Sequence, residues 1–309
     1  MLTTGCSIPE RQNTDAQVNL LAAASTVYGR AKRLMALQLA LTVPGALACS
    51  LVMAWQPSLK IWTTFFSVTV ALLDTLWLSR AQARLKKRGA TLQQMFDCNL
   101  FGLPWRPLRC GKPVASEDVL ADAKKHLTRP DARDALLDWY PKEAGELPWP
   151  LARRVCQRAT LRWDLRQRDR VRGALTATLS LLAAAVFLIA LLRGNTVEQM
   201  ILTVYVPLAP AVLWTLREIL AQRDAIQADE RDLAHVESLW SQAITGKLTE
   251  TELLEQSLLV QDALFDARSR SPLVFNWVYR LLQKRQQEQM EHKARELVDE
   301  ALRQLSAPK

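Results

Sequence analysis

Arg154, Arg158, Arg162, Arg166 and Arg170 recur at every fourth position, with Trp163 beside them. On a helix this spacing places the guanidinium groups on one slowly rotating face. A guanidinium fork grips a phosphate or carboxylate through parallel hydrogen bonds, and an indole face stacks a flat ring. The stripe therefore suits anion recognition, or, beside a membrane span, anchoring at an anionic leaflet. Arg168, Arg170 and Arg172 stand next to an apolar block and are assigned to anchoring. Arg154, Arg158 and Arg162 lie about three turns further away. For these, ligand contact, interdomain contact and a bland packing role stay open.

Other chemistry has no visible home, and no enzyme is expected. The sequence holds no GxGxxG, P-loop, GxSxG or HExxH motif. His126, His235 and His292 are far apart in charged helical contexts and read as surface residues. No pair of carboxylates sits in an apolar setting suited to general acid-base work. Cys6, Cys49, Cys98, Cys110 and Cys156 are odd in number and scattered, which predicts neither a disulfide framework nor a metal site. The start Leu2-Thr3-Thr4-Gly5-Cys6 has the form of a lipoprotein cleavage box, but no apolar run precedes it, and no cleavage is expected.

The elements that must carry the stripe follow from how charge is distributed. Of 309 residues 49% are hydrophobic and 23% charged, yet two blocks are almost free of charge. Segregation of this kind predicts membrane spans alternating with solvated segments. Four segments have the roughly 20 mainly apolar residues that a bilayer core requires: 34–55, 61–79, 174–192 and 197–216. The connectors at 56–60 and 193–196 are so short that each pair forms an antiparallel hairpin. The fold class predicted is an all-α integral membrane protein, two transmembrane hairpins with helical cytoplasmic extensions. The divisions expected are 1–33, an N-terminal cytoplasmic segment; 34–79, hairpin 1; 80–173, a cytoplasmic helical linker domain; 174–217, hairpin 2; and 218–309, a C-terminal cytoplasmic helical region.

Orientation follows from the cations, which are retained in the cytoplasm near span ends. Arg30, Lys32 and Arg33 precede the first span, Arg80, Arg84, Lys86, Lys87 and Arg88 follow the second, and Arg166 to Arg172 precede the third. The hairpin turns hold only Lys60 and Arg193. Both termini and the segment between the hairpins are therefore placed in the cytoplasm. Trp55, Trp62 and Trp77 suit interfacial belts. Thr63, Ser67 and Asp74 share one face of the second span, a candidate pore or helix-contact face, because an ionisable group within a span must face protein or water. Asp74 is also near enough to the inner end to hydrate or to pair with an arginine. Pro44-Gly45, Pro207 and Pro210 predict kinks.

In the cytoplasmic parts, helix is expected from the second span to about Phe96, with a break at Gly102-Leu103-Pro104-Trp105, then short helices at Ser116 to Leu127 and Asp131 to Tyr140. Ile219, Ile226, Leu233 and Trp240 repeat every seven residues and extend the fourth span as an amphipathic helix. Thr249 and Glu252 form a capping box, and Ser271-Pro272 opens a further helix bearing Val274, Trp277, Val278 and Leu281. Lys284 to Gln304 reads as a solvated or coiled helix.

The two hairpins combined with the strings Phe96-Asp97-Cys98-Asn99-Leu100-Phe101-Gly102-Leu103-Pro104-Trp105 and Cys156-Gln157-Arg158-Ala159-Thr160-Leu161-Arg162-Trp163-Asp164 resemble the SMODS-associated four-transmembrane effector family. Val27-Tyr28-Gly29-Arg30-Ala31-Lys32 and Gln261-Asp262-Ala263-Leu264-Phe265-Asp266-Ala267-Arg268 extend the resemblance over most of the chain. That family is encoded beside cyclic-oligonucleotide synthases in bacterial CBASS antiphage operons. The resemblance implies an inner-membrane effector that senses a cyclic di- or trinucleotide, damages the membrane and causes abortive infection. One four-helix unit leaves little room for an aqueous lumen, so a homo-oligomer is expected, with no cofactor beyond that activating ligand and no DNA partner.

Cyclic oligonucleotides present phosphodiester anions and flat bases, so guanidinium groups and aromatic faces must lie close together. Arg154, Arg158, Arg162 and Arg166 with Trp163 are the candidate ligand set, to be completed by Trp105, Arg106, Trp139 and Tyr140. Two other classes of function stay open. One is a constitutive membrane scaffold whose cytoplasmic heptad recruits a protein partner. The other is a small ion channel or transporter, disfavoured because only one acidic residue, Asp74, lies within the spans away from their outer ends, and no midplane break is evident.

Overall fold

The computed structural model describes residues 6–192, 196 and 206–306, and every regular element among them is helical. The chain enters through α1 (Ile8–Gln12) and α2 (Asp15–Thr42). Val18, Leu20, Leu21, Ala22, Ala23, Ala24 and Val27 of α2 are buried, so the segment before the first expected span is a central core helix of the helical body. Pro44, which has no amide hydrogen, ends α2 at Val43 and begins α3 (Pro44–Trp55). The expected first span is thus divided at its proline.

Helix α4 (Lys60–Leu73) passes through a π-helical turn at Asp74–Leu78 into α5 (Ser79–Phe101) without leaving helix. Gly102, at φ 63°, ends α5 at the expected break, because a left-handed cap suits a residue without Cβ. The short α6 (Pro107–Cys110) and α7 (Ser116–Leu127) follow. Helix α5 lies against α2, where Gly89 admits the Tyr28 ring so closely that a Cβ there would stand 2.8 Å from it. The Tyr28 hydroxyl donates to Gln93 at 3.2 Å.

A helix was expected from Asp131 to Tyr140, but only a 3-10 turn, Asp134–Leu136, forms. Tertiary contacts take the amides that a helix would use. Asn13 Oδ1 accepts from the Asp138 N–H at 2.9 Å and Gln12 Oε1 from the Tyr140 N–H at 2.8 Å. Asp131 and Asp138 also adopt positive φ, 60° and 52°, which breaks helical continuity.

Helix α8 (Trp149–Leu192) has 44 residues, about 66 Å of helix at 1.5 Å per residue. Helix α9 is described from Val206 to Ile244, with Pro207 and Pro210 in its first two turns. The two run antiparallel, with Leu161 against Leu233 and Val236 in one apolar cluster. Helix α10 (Glu250–Arg270) starts at the expected capping box. Glu252 Oε2 accepts from the Thr249 N–H at 2.7 Å, and Thr249 Oγ1 from the Glu252 N–H at 3.3 Å. Helix α11 (Asn276–Ser306) begins several residues after Ser271-Pro272, and the side chains of Trp277 and Leu281 lie outside the described ones. It is not a solvated helix: Ala294, Leu297, Val298 and Ala301, at i, i+3, i+4 and i+7, are buried in the main core. That core draws on all three non-span segments, which therefore fold as one body.

Of the four expected spans, one lies within a single described helix long and apolar enough to cross a membrane, α8, whose apolar window is fully unburied in the chain. The first is divided at Pro44, the second changes from α- to π-helical at Asp74, and residues 197–205 of the fourth lie outside the described residues. Large apolar side chains are exposed in each of these regions, among them Trp55, Ile61, Trp62, Phe65, Leu181, Leu188 and Leu213.

Candidate functional site

Helix α8 turns one face to the core through Leu151, Val155 and Cys156, and this settles which of its arginines remain available. Arg158, Arg162, Trp163 and Arg166 line a cleft of about 370 Å³ whose opposite wall is α11, a size ordinary for a small-ligand pocket. Gln286, Gln289, Met290 and Lys293 face them from α11. Burial of the α11 stripe at Ala294, Leu297 and Val298 fixes the cleft's width.

Positive charge dominates. Arg158 donates through Nε and Nη2 to Glu237 Oε1 of α9, at 3.0 and 2.6 Å. Arg166 donates to Gln289 Oε1. Arg162 has no hydrogen bond or ion pair among the described residues. Glu296, the lining carboxylate, is taken by Lys293 at 2.7 Å and His292 at 3.2 Å. The hydrogen bond from Lys293 holds its carboxyl below the ordinary range.

Gln286 is 2% exposed, and neither Nε2 nor Oε1 of its amide has a partner among the described residues. A buried amide left unsatisfied costs about 1–3 kcal/mol. It offers a donor and an acceptor side by side, the pattern that pairs with the edge of a base.

The remaining sequence candidates lie elsewhere. Arg154 is 1% exposed and donates from Nη2 to the Leu253 carbonyl at 3.2 Å, while Nε and Nη1 have no partner among the described residues. Burial pushes its guanidinium down to about 10. Trp105 donates from Nε1 to the Gly111 carbonyl and packs on the core, Arg106 pairs with Asp262 of α10, and Trp139 is half-buried against the core. Tyr140 is a core residue, its ring beside Phe96 and Phe101.

Two residues near the expected spans are also placed by their contacts. Arg168 does not anchor a span: it is buried, forms an ion pair with Asp229 of α9 at 3.2 Å and donates to the Pro272 carbonyl. Asp74 makes a helix contact, accepting from Gln38 Nε2 of α2 at 2.8 Å and from Ser79 Oγ at 3.0 Å. The side chains of Thr63 and Ser67 lie outside the described ones.

Residues 6–297 match the family model described as the SMODS-associating 4TM effector domain. The chain belongs to that family. This 4TM effector-family chain is also 23% identical over 290 residues to a protein described as "Probable CBASS effector molecule" from Bacillus cereus (strain VD146), across 91% of this chain and 95% of that one. No solved structure matches it.

The strings that carry the likeness to the 4TM effectors meet inside the body rather than at the cleft. Asp97 accepts from Tyr140 Oη at 2.7 Å on Oδ1, and on Oδ2 from Arg268 Nη1 at 2.6 Å and Gln261 Nε2 at 2.8 Å. Gln157 donates to the Ser257 carbonyl at 2.9 Å and to Gln261 Oε1 at 3.2 Å. This buried network clamps α5, α8 and α10 together, and reading for surface chemistry passes over it. The α11 wall was hidden by its surrounding charge, although the spacing of Ala294, Leu297, Val298 and Ala301 marks a buried face.

Proposed function

We propose that the chain is an antiphage effector of the CBASS kind. It spans the bacterial inner membrane with two helical hairpins, keeps both termini and the 80–173 segment in the cytoplasm, and binds a cyclic di- or trinucleotide in the α8/α11 cleft. Binding shifts a homo-oligomer toward a state that permeabilises the membrane, with no catalysed reaction and no cofactor beyond the ligand.

The observation that carries this reading is the buried amide of Gln286, without a partner among the described residues, in a cleft lined by three arginines and Trp163. Phosphodiesters would take the guanidinium groups, a base would stack on the indole, and the amide would meet a base edge. The apolar residues exposed on α3, α4, α8 and α9 support lipid contact, because patches of that extent rarely face water on a monomer. Coupling is direct, since α8 lines the cleft with one half and is the candidate span with the other. The ligand acts only to the extent that it binds one state more tightly. A single four-helix unit leaves little room for an aqueous lumen, so several subunits are expected to assemble.

Titration of the purified chain with cyclic di- and trinucleotides, wild type against Arg162→Ala, tests the reading. Arg162 has no hydrogen bond or ion pair among the described residues to lose, so the variant is expected to keep its fold. The expected result is a drop in affinity of about tenfold or more, the size of one charge-assisted contact. Binding unchanged in the variant would place the ligand elsewhere.

A further inference from the structure

A second cavity, of about 920 Å³, lies between α2, α5, α9 and α10 and shares no lining residue with the cleft. Its place in the chain is informative. Gln38 stands at the start of the expected first span, Gln82 just after the second, and Trp214 and Arg217 at the end of the fourth, and all of them line it. Three span ends, found from apolar length alone, therefore meet at one cavity at the depth where a bilayer places its headgroups. Trp214 suits that level as an amphipathic ring.

The charges around the cavity divide into those already paired and those left over. At the cytoplasmic end Arg106 pairs with Asp262 and Arg109 with Asp266, while Arg270 stands 3.9 Å from Asp266. Among the described residues, the lining cations without an ion pair are Lys86 and Arg217, and the lining carboxylates without one are Glu218, Asp224 and Asp232. Lys86 and Glu218 are close enough to influence one another, yet no ion pair joins them. Lys86 donates instead to the Arg270 and Ser271 carbonyls at 3.1 and 3.3 Å, and Glu218 accepts from Gln222 at 3.0 Å. Burial pushes the Lys86 ammonium down and the Glu218 carboxyl up, as expected of charges enclosed without full compensation.

The order of these groups has a direction. Along α9, away from the membrane, the cation Arg217 comes first, and the carboxylates Glu218, Asp224 and Asp232 follow over about four turns. A phospholipid headgroup entering from the bilayer places its phosphate nearest the glycerol and any amine beyond it. We infer that this cavity binds the headgroup of a zwitterionic, primary-amine phospholipid of the phosphatidylethanolamine type, phosphate toward Lys86 and Arg217 and ammonium toward Glu218 and Asp224. An anionic phosphoglycerol headgroup would leave the carboxylates unpaired, and a choline headgroup has no N–H to donate to them. The lipid would join hairpin 1 to hairpin 2 at their inner ends. This inference rests on the membrane-spanning reading above.

The test uses the full chain extracted from bacterial membranes, delipidated in detergent and returned to nanodiscs of phosphatidylethanolamine, phosphatidylglycerol or phosphatidylcholine. Lipid retained after mild re-extraction is counted by native mass spectrometry. A single ethanolamine lipid per chain is expected, preferred about tenfold over either alternative and lost to a similar extent in Glu218→Gln. Asp224→Asn, at the exposed rim, serves as a second variant with little risk to the fold. Retention of phosphatidylglycerol at the same level, retention unchanged in both variants, or no retained lipid would overturn the headgroup site while leaving a membrane-embedded chain. Recovery of the wild-type chain in the soluble fraction would overturn the membrane reading and this inference with it.

Discussion

Asp97 of α5 and Arg268 of α10 form an ion pair 2.6 Å long whose partners are 1% and 8% exposed. The same carboxylate takes hydrogen bonds from Tyr140 and Gln261, so all of its charge is spent on neighbours inside the protein. Removing one member of such a buried pair strands the other. Asp97→Ala is expected to destabilise the body by about 3–5 kcal/mol. Tyr140→Phe, which deletes one bond to a charged acceptor, is expected to cost about 1.5–3 kcal/mol. Denaturant unfolding of the purified chain gives both values, and equal small losses would contradict a central role for the pair.

Packing between α2 and α5 depends on Gly89, over which the Tyr28 ring lies. A Cβ at that point meets ring atoms at 2.8 to 3.0 Å from a buried helix face with little room to yield. Gly89→Ala should destabilise by about 1–3 kcal/mol through overpacking. Gly29→Ala, where a Cβ meets nothing within 4 Å, serves as its control and should be neutral or slightly stabilising.

Asp229 gives the body a pH dependence. Burial, followed by the nearby Asp164 charge, raises its carboxyl from 3.8 to about 7, and Arg168 offsets this only in part. Between about pH 4 and 7 the folded chain therefore holds a proton that the unfolded chain has released. This group's contribution is present at the acid end of that window and is lost as pH rises through it. Asp229→Asn should gain stability relative to wild type at pH 8 compared with pH 5, as read from paired unfolding curves. A difference that does not vary with pH would contradict the assignment.

How much of this was legible in the sequence depends on what each residue competes with. The ends of α5 and α7, the capping box of α10 and the heptad of α9 follow from local rules: Gly102 caps because only a residue without Cβ is easy there, and Thr249 and Glu252 satisfy each other's amides. Helix from Asp131 to Tyr140 was misread because Gln12 and Asn13, more than a hundred positions away, supply the amide partners. Four members of the candidate site, Arg158, Arg162, Trp163 and Arg166, could be found on one helix by spacing alone. Tyr140, Arg154 and Trp139 could not be sorted from them, because an arginine or aromatic residue suits a ligand and a small core equally until its neighbours are known.

Gln286 separates stability from response. Gln286→Met keeps the length of the side chain and removes an amide that has no partner among the described residues. The variant should be about as stable as wild type or gain up to about 1–3 kcal/mol, and should bind the cyclic nucleotide more weakly. A loss of stability would show that the amide is satisfied within the chain.

Glu237 holds the Arg158 fork that the proposed phosphodiester ligand would take. Glu237→Gln weakens that internal competitor, so the ligand concentration giving half-maximal response should fall severalfold. Unchanged or weakened response would place Arg158 outside the ligand's reach.

Release of a trapped dye from liposomes containing the purified full chain, on addition of cyclic di- and trinucleotides, tests the central claim most directly. The account predicts release with at least one of these ligands, and its loss in Arg162→Ala. A folded, correctly inserted wild-type chain that leaks with none of them, or a variant that leaks as readily as wild type, would contradict it.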